Sequence, residues 1–139
     1  MPLISNTNGA IDRTRLAAWA TKEEKVTVVA ATDAATVQSA ATLAAAKTVV
    51  YTMTPTTTRT LTTPTGAELG AAFTDEAAGT SFEFTVVNGA AATHAITLTA
   101  GASGVTLGGV AGMATIAAAS SASYVAVFTA ADTVTIYRK

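Results

Sequence analysis

His94 is the one histidine of the 139-residue chain and the first place to look for chemistry. An imidazole works as a general base only beside a positioned partner, and a nucleophile–histidine relay needs a carboxylate to orient the ring. Asp75, Glu76 and Glu83 precede it, but no spacing ties any of them to His94. It reads as a loop or strand-edge histidine without a role. Asp75-Glu76 is a pair of acids, yet sequence neighbours do not flank a glycosidic bond. The glycine-rich run Gly101–Gly112 lacks the Lys-Ser/Thr ending of a phosphate loop and the strand–helix junction of a dinucleotide fingerprint. Its glycines read as turns between short strands. One histidine, no cysteine and no Asp/Asn/Glu-rich loop leave no ligand set for a metal. The expectation is no catalytic residue, no cofactor and no metal: not an enzyme.

Composition points the same way. Charged residues make up 12% of the chain, against roughly 25% in ordinary soluble domains. Alanine supplies roughly a quarter of the residues and threonine a fifth, far above average usage. So few charges limit how a lone monomer keeps clear of its neighbours, which implies a surface covered in an assembly. A net charge of −1, with the basic residues scattered, excludes a nucleic-acid partner that needs a clustered basic patch. No cationic, apolar leader opens the chain, and every long apolar stretch is interrupted by Thr, Ser, Asn or Gly, so neither a signal peptide nor a membrane partner is expected.

The elements follow from hydrophobic period. Between Glu83 and Asp132 there is no Asp, Glu, Lys or Arg. Phe82, Phe84 and Val86 alternate with Glu83, Thr85 and Val87, the period of a half-buried strand. Thr93–Ala100 repeats the alternation through Ile96 and Leu98, and Val134 and Ile136 close it. Tyr124–Phe128 is apolar on both faces, so a second layer or another subunit must cover each side. Upstream, Val26–Ala30, Thr48–Thr54 and Thr57–Thr62 read as strands. Asp33 is placed to cap a short helix over Ala34–Ser39, and Ala40–Ala46 is helix-permissive. Pro64 and Glu68 mark a helix start that runs to about Phe73, with Leu69 and Phe73 on one face. Met1–Gly9 reads as an extended arm, and Ile11–Glu24 as a helix with a narrow face of Leu16, Trp19 and Ala20. The predicted fold is mainly β, a sandwich or small barrel with one or two short helices and an N-terminal extended arm. The arm occupies residues 1–32 and the β domain residues 33–139. The interface candidates are Leu3, Ile4, Ile11, Leu16 and Trp19 on the arm, with Tyr124, Val125 and Val127 in the two-sided strand.

From Leu43 onward the chain resembles a family of tailed-phage structural proteins. The resemblance is carried by Thr57-Thr58-Arg59-Thr60-Leu61-Thr62-Thr63-Pro64-Thr65-Gly66-Ala67-Glu68-Leu69 and by Gly79-Thr80-Ser81-Phe82-Glu83-Phe84-Thr85-Val86-Val87-Asn88. Ile96-Thr97-Leu98-Thr99-Ala100-Gly101, Gly104-Val105-Thr106-Leu107 and Val134-Thr135-Ile136-Tyr137 continue it. It covers about two thirds of the chain. It implies a small trimeric β-rich head protein, a capsid decoration (cement) protein seated on the outer surface of the virion. The implied partners are the major capsid protein and further copies of the chain. The rival is a receptor- or glycan-binding module of a tail fibre or spike. The family brings no catalytic residues.

Overall fold

The computed structural model describes residues 22–73, 77–109 and 111–139. Residues 22–24 are helical and lead into β1 (Val26–Ala30), β2 (Thr36–Val37), α1 (Ala40–Ala44), β3 (Thr48–Met53), β4 (Arg59–Thr62) and α2 (Gly66–Ala72). The second half is all strand: β5 (Ser81–Asn88), β6 (Ile96–Thr99), β7 (Val105–Leu107), β8 (Thr115–Ile116), β9 (Ser120–Ala130) and β10 (Thr133–Arg138). The fold is mainly β, as the alternation requires.

The strands make two sheets. The larger has the order β1-β3-β5-β9-β10-β7, the smaller β2-β4-β6-β8. In the large sheet β1, β3 and β5 run parallel, β9 is antiparallel to β5 and β10, and β7 is parallel to β10. Alternation decides what lies between the sheets. Val49, Tyr51, Met53, Phe82, Phe84, Val86, Ala122, Tyr124, Ala126, Phe128, Val134 and Ile136 point inward from the large sheet, and Leu61, Ile96, Leu98 and Ile116 from the small one. These form one continuous core, completed by Leu43 of α1 and Leu69 of α2. The second layer over the large sheet is thus the small sheet together with two short helices. Phe84 and Tyr124 stack at 5.1 Å on adjacent strands, while Phe73, Phe82 and Phe128 cluster with centroids 4.7 to 6.3 Å apart.

Several sequence expectations shift. Asp33 caps no helix: its carboxylate accepts from the Arg59 guanidinium at 2.6 Å and from Thr56, and so ties the β1–β2 connection to the start of β4. The following Thr36-Val37 then pairs with Leu61 and Thr62 as a strand, where β-branched residues fit better than in a helix. The helix begins later, at Ala40, with the Ser39 hydroxyl accepting from the Thr42 N–H. Pro64 sits one residue outside α2, whose cap is Thr65. The Thr65 hydroxyl accepts from the Glu68 N–H, and the Glu68 carboxylate accepts from the Thr65 N–H at 2.8 Å, a reciprocal capping box. Val26–Ala30 falls inside the span read as an arm, yet pairs with β3 from Val26 to Ala30. The sheet therefore begins before residue 33. The glycine-rich run holds one short strand, β7, and one position that only glycine fits on both counts of space and backbone angle, Gly104. There φ is +71, and a Cβ would overlap the Asp132 carbonyl.

Candidate interaction surface

Strand register maps the outer face of the large sheet residue by residue. One row across it reads Val26, Thr48, Glu83, Val125, Tyr137; the next Val28, Val50, Thr85, Ser123. A third holds Ala30, Thr52, Val87 and Ser121, and a fourth Ser81, Val127, Thr135 and Thr106. Among the described residues no secondary-structure element packs over this face, because both helices and the small sheet lie on the other side. Val26 and Val28 are 60% and 66% exposed and Tyr137 44%. Val50, Val87, Val125 and Val127 are half-buried between their neighbours. Tyr137 lies along Gly108, where a Cβ would come within 2.8 Å of its ring and of the Thr135 methyl.

Charge is nearly missing from this surface. Glu83 and Lys139 meet at 2.8 Å, both about half exposed, so the pair contributes little to stability but cancels itself. Thr85 and Ser123 hydrogen-bond across β5 and β9 at 2.9 Å. The rest is Tyr137 with Val, Thr, Ser and Ala.

The small sheet's outer face differs. Its register aligns Val37, Thr62 and Thr99, and beside them Thr60, Thr97 and Thr115. Five threonines to one valine can be solvated through their hydroxyls. The large sheet instead offers Val26, Val28, Val50, Val87, Val125, Val127 and Tyr137. Three neighbouring parallel strands with one bare face are also unusual, since parallel sheets are normally covered on both sides.

Of the sequence-selected interface residues, Val125 and Val127 lie on this outer face. Tyr124 does not. It faces the core, fully buried, and its hydroxyl donates to the Met113 carbonyl at 2.8 Å; one step along a strand reverses the face. Leu3, Ile4, Ile11, Leu16 and Trp19 lie outside the described residues, as do Asp75 and Glu76. Val26, Val28, Val50, Val87 and Tyr137 belong to the face but escaped sequence reasoning. Each sits on a strand recognised from its inward residues, and only strand order joins the outward ones into a surface.

His94 lies in the 89–95 connection beside buried Asn88. The Asn88 amide donates to the His94 and Ile116 carbonyls at 2.8 and 3.0 Å and accepts from the Ala90 N–H at 3.0 Å. That arrangement holds the 89–95 connection in place through backbone groups. Among the described residues no three His, Cys, Asp or Glu side chains gather where a metal could be held, and no helix is long and apolar enough to cross a membrane.

No family model matches the chain. No curated protein and no solved structure matches it significantly either.

Proposed function

We propose that this chain is a structural protein of a larger assembly, a capsid decoration protein that binds the outside of a coat lattice as a homotrimer and stabilises it. The observation that carries the reading is the charge-poor outer face of the large sheet, uncovered among the described residues, set against the threonine-coated face of the small one. Six strands about 4.8 Å apart, three to eleven residues long at about 3.3 Å per residue, span roughly 600 Å² in projection. That is the larger part of one side of a standard interface, about 800 Å². Burying a Val side chain there stabilises contact by about 1.5 kcal/mol or more. Closing that face against another copy holds the trimer together, and the trimer then presents three coat footprints at once, so that weak contacts joined in one body act at high effective concentration.

The receptor- or glycan-binding alternative calls for exposed aromatics that stack on a ligand. Tyr137 is the one exposed aromatic side chain among the described residues, which favours the structural reading. The test is co-sedimentation with empty expanded capsids of the virus that encodes the chain. Stoichiometric binding, with capsids that then resist heating to a higher temperature, is expected. Absence of binding together with retention on a glycan array would reverse the assignment.

A further inference from the structure

Three inward polar side chains stand on the elements that adjoin where β1 and β3 meet the start of α1. Thr27 of β1 faces the core side, its Cα partnered with Val49, and Tyr51 stands diagonal to it on β3. Gln38, just after β2, faces them from the opposite layer, its backbone N–H bonded to the Thr62 carbonyl. Gln38 and Tyr51 are each 3% exposed. The Ser39 N–H lies close to the Tyr51 hydroxyl without completing a hydrogen bond, which brings the two layers' polar groups together here. Thr27 Oγ1, both polar atoms of the Gln38 amide and the Tyr51 hydroxyl have no hydrogen-bond partner among the described residues.

Buried polar groups in folded proteins are almost always paired, and leaving one unpaired carries a penalty large against total stability. Four such atoms in one corner call for a partner. None of them is charged, so the set recognises neither an anion nor a metal cation. An amide donor, an amide acceptor and two hydroxyls that do either suit a neutral molecule that both donates and accepts. The near-complete burial of Gln38 and Tyr51 restricts that molecule to the smallest one. We propose that this corner is an internal hydration site, in which one or two water molecules bridge the Gln38 amide, the Tyr51 hydroxyl and the Thr27 hydroxyl. A buried water takes two to four polar partners, and domains hold roughly one per 27 residues. The bridge fastens the β2–α1 layer to the β1–β3 edge of the large sheet.

The test is urea denaturation of Tyr51→Phe, Gln38→Met and the double variant, beside a high-resolution crystal structure of the wild type. Each single variant is expected to raise the unfolding equilibrium constant, by about five- to fifty-fold, because it strands the water's other partners. The double variant should fall short of the product of the two, since both remove bonds to one shared water. A single variant more stable than wild type would mean dry, unpaired groups and would overturn the proposal. Tyr51→Phe removes one oxygen from an inward ring, so the comparison stands even where Gln38→Met does not fold. The crystal structure should place an ordered water within about 3.2 Å of both the Gln38 amide and the Tyr51 oxygen. A protein group in that position, from residues 1–21 or from another copy, overturns it equally.

Discussion

Asn88 pins the connection that carries His94. It is 1% exposed and satisfies three backbone groups at once, those of Ala90, His94 and Ile116. Asn88→Ala strands buried donors and acceptors, and urea denaturation should show a loss of about 2–4 kcal/mol. Asp33 gives a pH signature. Hydrogen bonds from the Arg59 guanidinium and then from Thr56 pull its pKa from 3.8 down to about 2. A depressed folded-state pKa contributes stability above the unfolded value, lost as pH falls through the folded one. The Tm gap between wild type and Asp33→Asn should therefore be full at pH 5, mostly lost by pH 2 and gone below it. A gap unchanged between those values would mean that the contact is not formed in solution. Tyr51 and Tyr124 are shifted the other way, Tyr51 to about 12, because burial disfavours the phenolate.

At the scale of elements, legibility followed burial. β5 and β10 could be read directly because their bulky inward residues alternate with more polar ones, and β9 because Tyr124–Phe128 is an unbroken apolar run. α2 announced itself through Leu69, Phe73 and Glu68, and the box between Thr65 and Glu68 completes it. Thr65→Ala should destabilise the protein by about 1 kcal/mol in urea denaturation, with Thr65→Ser recovering most of the loss. β2 and β8 have two residues each and β7 three. Segments that short show no period, and their pairing partners are distant in sequence. Asp33 misled for a related reason: an Asp before an Ala-rich run is a legitimate cap until Arg59, 26 residues on, captures its carboxylate. The candidate face was half visible. Val125 and Val127 stood out because their strand is apolar on both sides, whereas Val28, Val50 and Val87 become neighbours only through the parallel order β1-β3-β5. Tyr124 was misplaced through being grouped with Val125, one residue away on the opposite face.

In the whole molecule, the proposed trimer closes the outer face of the large sheet against another copy of the chain. A sheet with one face against a dense core and the other rich in Val, nearly free of charge and uncovered among the described residues has the make-up of one half of a contact, which is the basis of the proposed trimer. Val127 sits in that face, between Ser81 and Thr135, and its side chain takes no part in the core. Val127→Asp should therefore fold, yet bury an unpaired charge wherever the face is closed. Native mass spectrometry at micromolar concentration, on the wild type and on Val127→Asp, tests this most directly. The account predicts a wild-type trimer, and a Val127→Asp monomer whose circular dichroism matches the wild type. A wild-type protein that is monomeric at that concentration would contradict it.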